Sequence, residues 1–235
     1  MGTRDQTISH LRAQLAAIEK AGSGESESPE VVSTGFPQLD RLLPEGGLRR
    51  GWLVEWLTEP GSGGSLVALW VAHCCLASQS PPVLAVIDAM GTFHPPAVMG
   101  WGIPVEELLI IRPQNEAETY WAWEEVLRAP VFSVVWGVLP RLPIRWHRRF
   151  QLACEAGRGW GMVLRPPSVA GQPSWSAVQW RVSPLPSLPA DPLAMRRWRV
   201  ALVRCRGRMG SVLGEGIAEI VLPGVDPGEE SSRET

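Results

Sequence analysis

Apolar residues along the chain occur in short runs, separated by longer stretches in which apolar positions recur every three or four residues. The short runs have the length of buried β-strands, and the longer stretches have the spacing of amphipathic helices. Strands are predicted at 52–57, 83–88, 108–111, 131–136 and 160–164, and helices at 64–78, 95–101, 116–128 and 145–157. This alternation predicts an α/β fold with a mostly parallel central sheet and helices on both faces.

The last third of the chain has a different pattern, because predicted strands follow one another there with little helix between them. These strands are expected at 175–183, 198–206 and 217–222. Consecutive short strands of this kind often extend an open α/β sheet as antiparallel edge strands. We therefore expect the C-terminal part of the core to enlarge the central sheet.

Both ends of the chain differ from the core, which is predicted to span residues 31–225. Residues 1–20 contain a candidate docking helix whose apolar positions recur at helical spacing: Ile8, Leu11, Leu15 and Ile18. Residues 21–30 are typical of a flexible linker, and residues 226–235 are predicted to be a disordered acidic tail. A helix separated from the core by such a linker has to dock on its own core, on a neighbouring protomer or on another protein.

Charge is distributed unevenly, although the formal net charge of the 235 residues is only −2. Residues 141–210 hold thirteen arginines and two acidic residues, whereas the rest of the chain holds nine basic and twenty-two acidic residues. An arginine-rich segment inside a mildly acidic protein is typical of a face that meets nucleic acid or an acidic partner. The alternative is that the arginines lie on separate elements and share no face.

Cysteine usage and apolar run lengths indicate the compartment. The four cysteines have no CxxC spacing, so they indicate neither a zinc site nor a disulfide framework, in keeping with a reducing cytoplasm. The N-terminus lacks an apolar signal-peptide segment, and the longest apolar run, at 66–77, is too short to span a bilayer. We therefore expect a soluble, cytoplasmic protein with no membrane partner.

A glycine-rich turn connects the first predicted strand of the sheet to the first predicted helix of the core, in the segment TEPGSGGSL at 58–66. A strand, a glycine-rich turn and a helix form the context of a phosphate-binding loop, in which backbone N–H groups and a helix N-terminus cradle phosphate oxygens. The candidate loop residues are Gly61, Ser62, Gly63, Gly64 and Ser65. Nucleotide hydrolysis also needs a lysine, whose position is occupied by Gly64. Because Lys20 is the only lysine of the chain, no shifted alignment supplies one.

The segments around this turn resemble RecA-type recombinases in the order and spacing of their motifs. A lead-in (STGFPQLDRLLPEGGLRRG, 33–51), the glycine-rich turn and a strand (VLAVIDAM, 83–90) follow the RecA order of a lead-in, a phosphate loop and a strand ending in IDAE. Within that superfamily, GTFHPPAVMGWGIPVEELLIIRP (91–113) and RRFQLACEAGRGWGMVLRPPS (148–168) are similar to the ImuA family, bacterial RecA-like proteins of the SOS-induced mutagenesis cassette. The resemblance covers about residues 33–185 and implies a RecA-like fold.

Two further groups needed for ATP hydrolysis are missing at the positions that the RecA resemblance assigns. Met90 stands where a carboxylate would activate water, and Trp136 stands where an aspartate would position Mg²⁺. Loss of one such group commonly lowers the rate by about 10²–10⁵-fold. We therefore expect no catalytic residue, no metal, no cofactor and no ATPase activity. The glycine-rich turn is interpreted as a tight connection between strand and helix, with weak phosphate binding by its backbone as the alternative.

Three other polar residues of this region are interpreted as structural. Asp88, at the end of the second predicted strand of the sheet, is expected to make a turn contact with the loop that follows it. His94 in that loop is expected to act as a structural hydrogen-bonding group, and His73 is expected to be a core histidine.

A candidate surface for DNA or for a partner protein combines arginines with tryptophans, of which the chain has twelve. Its members are Arg141, Arg145, Arg148, Arg149, Arg181, Arg196, Arg197, Arg199, Trp175, Trp180 and Trp198. Such residues neutralise phosphates and stack on the bases of single-stranded DNA, and they are equally common at protein–protein hot spots. A third alternative is that the tryptophans fill the core and the arginines remain solvated.

The ImuA resemblance implies a non-catalytic accessory or scaffold protein that supports SOS-induced, error-prone translesion DNA synthesis. The partners it implies are an inactive Y-family polymerase homologue, an error-prone replicative-type polymerase and, as a further candidate, RecA. RecA-type proteins grip the next protomer with an N-terminal helix, so the helix predicted within residues 1–20 is a candidate for self-association. Two alternatives stay open. A divergent RecA-like DNA-dependent ATPase would be indicated by nucleotide-dependent stabilisation, and an SOS cell-division inhibitor by binding to the division GTPase.

Overall fold

The structure is a computed structural model, and it describes residues 31–99, 103–186, 196–207 and 216–222. The helix predicted within residues 1–20, the linker and the acidic tail lie outside these residues.

The described strands form a small two-stranded ladder and one large mixed sheet. They are β1 (Val31–Val32), β2 (Leu48–Arg49), β3 (Leu53–Leu57), β4 (Leu84–Ile87), β5 (Leu108–Ile111), β6 (Val134–Val138), β7 (Trp160–Arg165), β8 (Val178–Leu185), β9 (Arg197–Cys205) and β10 (Ile217–Val221). The last eight form the sheet in the order β10-β9-β8-β3-β7-β6-β4-β5. Strands β8, β3, β7, β6, β4 and β5 are parallel, whereas β9 and β10 pair antiparallel. This arrangement confirms the predicted RecA-like α/β fold with antiparallel strands toward the C-terminus.

Helices cover the two faces of the parallel part of the sheet. They are α1 (Pro37–Asp40), α2 (Gly64–Ala77), α3 (Pro96–Met99), α4 (Glu116–Arg128) and α5 (Ile144–Gly157). Residues of α2 share a core cluster with Val54 and Trp56 of β3, so we call that side of the sheet the α2 face. Residues of α4 and α5 share a second cluster with Leu53 of β3, and we call the other side the α5 face.

Burial patterns along the strands follow from this layering. Strand β3 is buried at every position, because helices cover both of its faces. Strand β10 alternates instead: Ala218 and Ile220 are buried in the cluster that contains α2, whereas Ile217, Glu219 and Val221 are exposed. No helix of the described residues therefore covers the α5 face of the antiparallel strands.

The lead-in motif is a hydrogen-bonded turn in front of the sheet. The Thr34 backbone N–H and hydroxyl both donate to Asp40 Oδ1, at 2.8 and 2.7 Å, and the Ser33 hydroxyl donates to Asp40 Oδ2. Gly35 has φ 78°, and a Cβ there would lie 2.4 Å from Cys74 Sγ of α2. These contacts hold the turn at residues 33–40 in place and bring it close to α2.

Element boundaries differ from the predicted ones by more than one residue in three places. The strand predicted at 131–136 is Val134–Val138, because the Phe132 N–H donates to the Ala129 carbonyl in a turn after α4. The helix predicted at 95–101 is Pro96–Met99 within the described residues. The strand predicted at 175–183 is Val178–Leu185, since the preceding serines turn into a buried polar network described below. Among the described residues, no helix has both the length and the apolar character needed to cross a membrane.

Candidate functional site

The glycine-rich turn joins β3 to α2 in the conformation of a phosphate-binding loop. Gly61 and Gly63 have φ values of 77° and 80°, which side-chain-bearing residues rarely adopt, and α2 begins at Gly64. In the spacing GxxxxGK, Gly63 aligns with the second glycine and Gly64 aligns with the lysine. Thr58 therefore stands at the position of the first glycine. The backbone therefore keeps the framework of the loop while two of its defining residues are changed.

Thr58 occupies the space from which a lysine side chain at position 64 would start. A Cβ at Gly64 would lie 2.0 Å from Thr58 Oγ1 and 2.6 Å from Thr58 Cβ, so no larger residue fits unless the threonine moves. The same hydroxyl is 2.7 Å from Ser62 Oγ, which links the two arms of the loop. The changes at the first and the seventh position of the motif are therefore sterically coupled.

Trp198 of β9 closes the loop from the side of the antiparallel strands. Its indole Nε1 donates to the Ser62 carbonyl at 2.9 Å, and a Cβ at Gly63 would lie 2.9 Å from the indole ring. The side chain is 2% exposed. The prediction that Trp198 belongs to a DNA or partner surface is therefore wrong, because the residue fixes the loop and fills the core.

A cleft of about 230 Å³ lies beside the start of α2 and the ends of β4 and β6. Its lining is largely apolar and includes Met90, Phe93 and Trp136, and its polar members are Ser65, Asp88, Thr92 and His94. Trp136 is buried and packs against the Phe93 ring at 5.7 Å, while Met90 is exposed at the rim. The positions expected to carry a water-activating carboxylate and a metal ligand thus form apolar surface. No group of three or more His, Cys, Asp or Glu residues suited to a metal ion occurs in the described part of the chain.

Asp88 makes the predicted turn contact at the edge of this cleft. Its Oδ1 accepts the backbone N–H groups of Thr92 and Phe93 at 2.9 and 3.3 Å, and its Oδ2 pairs with Arg112 Nε at 3.2 Å. The carboxylate is buried and all its contacts are local or structural. The structural interpretation of Asp88 is confirmed. His73, also interpreted as structural, packs against the Trp70 ring at 5.5 Å, and partial burial lowers its pKa.

Replacing Gly64 with lysine is expected to destabilise the protein by about 1–3 kcal/mol, because the new side chain collides with Thr58. Adding Thr58→Gly removes the obstacle, so the double variant is expected to be more stable than the sum of the two single changes predicts. Chemical unfolding of the two single variants and the double variant measures this coupling. Losses that simply add would contradict the proposed steric coupling.

Sequence reasoning missed a buried polar network centred on Glu55, in the middle of β3. Glu55 Oε1 pairs with Arg165 Nη1 at 2.7 Å, and Oε2 accepts the Ser174 hydroxyl at 2.7 Å and the Gln179 amide at 2.8 Å. His147 of α5 lies 3.6 Å from Oε1 through Nε2. A glutamate inside the apolar run WLVEWL was the available signal, because a charge in a fully buried strand requires a partner. Its partners are more than ninety residues away and could not be inferred from spacing.

Protonation within the network is set by burial and by the neighbouring arginines. Burial opposes ionisation of Glu55, but the charges and hydrogen bonds of His147, Arg165 and Ser174 outweigh it and hold the pKa of Glu55 below its ordinary value. Burial lowers the pKa of His147 to about 4, opposed by Glu55 and assisted by the charges of Arg165 and Arg204. At neutral pH, His147 is therefore neutral, and its Nε2 lies 2.7 Å from the hydroxyl of Ser176. Histidine, serine and glutamate meet here, but Ser176 is 1% exposed and His147 Nδ1 has no hydrogen-bond partner within the described residues, so the set is structural.

The arginines of the candidate surface at the start of α5 are exposed. Arg141 precedes the helix, and Arg145 and Arg148 lie on its outer side. The Arg148 guanidinium is 5.2 Å from the centre of the Trp175 ring, and Trp175 remains 44% exposed. These four residues are exposed, and their role in binding stays a prediction.

Arg149 is more constrained than the neighbouring arginines. It forms an ion pair with the buried carboxylate of Glu124 on α4, and its guanidinium lies 4.3 Å from the centre of the Trp146 ring. Its main contacts therefore join α4 to α5, which makes it a packing residue as well as a surface residue.

The second group of candidate arginines lies on β8 and β9. Arg181, Arg196 and Arg199 are exposed, and Arg197 is partly buried beside Glu219 at 2.8 Å. Along each strand these arginines alternate with residues of the α2 cluster, so Arg181, Arg197 and Arg199 project from the α5 face. They therefore lie on the same side of the sheet as α5.

Trp180 is the second tryptophan for which the predicted surface role is wrong. It is fully buried and stacks on Trp56 at 6.2 Å between ring centres. Even positions of β8 face α2, so the tryptophan on this strand fills the core and the arginine beside it is exposed.

The fold and the loop define a class: a RecA-like α/β protein whose glycine-rich turn joins β3 to α2 and has Gly64 at the start of the helix. Sequence comparison with known proteins identifies the family within this class. It is 31% identical over 198 residues to Protein ImuA of Caulobacter vibrioides, in strains NA1000 and ATCC 19089, a match covering 75% of this chain and 79% of that protein. It is also 31% identical over 121 residues to Protein RecA of Clostridioides difficile, covering 51% of this chain and 34% of that protein. No family model matches the chain. The chain belongs to the ImuA family and is related to RecA.

Proposed function

We propose that this protein is a non-catalytic RecA-like accessory protein that supports SOS-induced, error-prone translesion DNA synthesis through its surface. The observation that carries the proposal is the contact between Thr58 and Gly64. The threonine fills the space that a lysine side chain at position 64 would need. No lysine lies near the loop in the sequence, because Lys20 is the single lysine of the chain. Without that lysine, nothing in the loop reaches the β- and γ-phosphates of a nucleotide.

The cleft beside the loop supports the same proposal. Catalysis of phosphoryl transfer depends on charged groups and Mg²⁺ that neutralise developing charge. Met90 and Trp136 instead provide apolar surface at these positions, and the carboxylate of Asp88 is engaged by two backbone N–H groups and an arginine. The proposed function therefore uses no cofactor and no metal.

Membership of the ImuA family supports translesion polymerase components as partners. These components are an inactive Y-family polymerase homologue and an error-prone replicative-type polymerase, and RecA is a further candidate partner. Copurification of the protein with each candidate tests this part of the proposal. Binding to the division GTPase, with no binding to a polymerase component, would support the cell-division inhibitor instead.

Millimolar ATP·Mg²⁺ is expected to leave the unfolding temperature of the protein unchanged, and no phosphate release is expected with single-stranded DNA. A ligand that binds only the folded state at about 100 times its dissociation constant would add about 2.7 kcal/mol, a shift of a few degrees. A RecA protein assayed in the same buffer serves as the positive control for both measurements. A clear shift together with phosphate release would support the divergent ATPase and overturn the proposal.

A further inference from the structure

The α5 face of the antiparallel strands is an open sheet surface with a regular grid of side chains. Pairing between β8, β9 and β10 aligns three rows across the strands. The rows are Arg181–Ala201–Ile217, Ser183–Arg199–Glu219 and Leu185–Arg197–Val221. Two of the aliphatic side chains, Ile217 and Val221, are 52% and 40% exposed. A sheet face in a folded core is normally covered, and no helix of the described residues covers this one.

Helix α5 forms a wall along one side of this grid. Arg206, at the end of β9, pairs with Glu155 of α5 at 2.8 Å, and Arg204 donates to the Ser174 carbonyl. Trp175, the residue after Ser174, has its ring centre 5.2 Å from the Arg148 guanidinium of α5. The exposed residues of α5 and of the grid lie on the same side of the sheet. We call them the α5–sheet surface and define it by Arg145, Arg148, Trp175, Arg181, Arg199, Arg204, Ile217 and Val221.

We propose that the α5–sheet surface binds an acidic, amphipathic segment of a partner protein. Six arginines border or occupy the surface, counting Arg197, and Glu219 is the single acid of the grid. Acidic side chains of the partner complement these arginines, while its aliphatic side chains cover Ile217 and Val221. The inference deepens the scaffold role proposed above and rests on it.

The composition of the grid favours a protein over nucleic acid. Sheet surfaces that bind single strands stack bases on exposed aromatic rings, and none of the nine grid residues is aromatic. Trp175, the aromatic residue of the wall, is already paired with Arg148. Exposed aliphatic side chains flanked by arginines are typical of a protein interface. A second copy is disfavoured because two such basic surfaces repel each other.

Fluorescence anisotropy tests the inference with a labelled peptide of about sixteen residues that repeats Glu-Leu-Asp-Val. Two comparison probes are the same peptide with Gln and Asn in place of its acids, and single-stranded oligo(dT). We expect the acidic peptide to bind the full chain at least about tenfold more tightly than the neutral peptide, with binding weakened by salt. Charge reversal by Arg181→Glu with Arg199→Glu should weaken acidic-peptide binding by about tenfold or more.

A matched control distinguishes this surface from general charge. Arg41→Glu reverses an exposed arginine beside α1, which packs on the α2 face, and should change the affinity by less than about twofold. Ile217→Ser should also weaken peptide binding, and an unchanged unfolding temperature verifies that each variant is folded. The inference is overturned if the acidic and the neutral peptide bind with equal affinity, or if Arg41→Glu and the Arg181/Arg199 double variant lower the affinity equally. Tighter binding of oligo(dT) than of the acidic peptide would also overturn it, as would self-association of the protein that the double variant abolishes. Nucleotide-dependent stabilisation tests the proposed function separately, so the two failures can be told apart.

Discussion

Replacing Glu55 with alanine is expected to destabilise the folded protein by about 3–5 kcal/mol, the range for removing one partner of a buried ion pair. The change would leave the Arg165 guanidinium, which is 5% exposed, without its counter-charge inside the core. The hydroxyl of Ser174 and the amide of Gln179 would each lose a hydrogen-bond acceptor at the same time. Chemical unfolding of the wild-type and variant proteins measures the loss.

Glu45→Ala provides the matched control, because Glu45 pairs with Arg49 at 2.9 Å on the exposed surface. Exposed pairs contribute about 0–1 kcal/mol, so this variant should unfold almost like the wild type. Glu55→Gln keeps the shape of the side chain but removes its charge, and we expect it to be destabilised less than Glu55→Ala. A loss below about 1 kcal/mol for Glu55→Ala would show that the network is not needed for folding.

Acidification is expected to remove about 3 kcal/mol of stability between pH 6.5 and pH 4 through His147 alone. In the unfolded chain this histidine takes up a proton near pH 6.5, whereas in the folded protein burial delays protonation until about pH 4. The unfolded state therefore binds more protons in this window, so the free energy of unfolding falls as the pH falls. Partial burial of His73 acts in the same direction. The lowered pKa of Glu55 extends the loss below pH 4.5.

Urea unfolding at a series of pH values from 4 to 7.5 measures this dependence. Replacing His147 with glutamine removes the titrating group, so the slope of stability against pH should become clearly shallower in the variant. His94→Gln serves as the comparison, because that histidine is exposed. Equal slopes for the wild type and the His147→Gln variant would rule out His147 as the source of the acid sensitivity.

Much of the fold could be predicted from the sequence because its elements are determined locally. The apolar runs of β3, β4 and β7 and the helical spacing of α4 and α5 specify where elements lie, and their alternation specifies a parallel sheet. Boundaries were less accurate where hydrogen bonds to distant residues decide them. The start of β8 is an example, since Ser174 and Ser176 just before it are bonded to Glu55 and His147.

The candidate site was predicted only in part. The assignment of Gly64 follows from the spacing of the loop motif, and those of Met90 and Trp136 follow from the RecA resemblance. Thr58 was within the same spacing but became informative only when its distance from Gly64 was known. The roles of Trp180 and Trp198 depend on which face of each strand is covered by helices. The arginines next to these tryptophans in the sequence led to the prediction that both lie on the surface. Strand alternation shows that the arginines are the exposed partners of those tryptophans.

The contact between Thr58 and Gly64 also constrains how this lineage could change over time. A lysine introduced at position 64 meets the threonine before it can contribute to nucleotide binding. A loop with lysine at position 64 would first need a change at position 58, where glycine loses the hydrogen bond to Ser62 and restores no chemistry on its own. Neither first step offers selection an advantage. In the proposed non-catalytic role, the steric exchange acts as an evolutionary ratchet, because regaining the loop lysine takes two coupled changes.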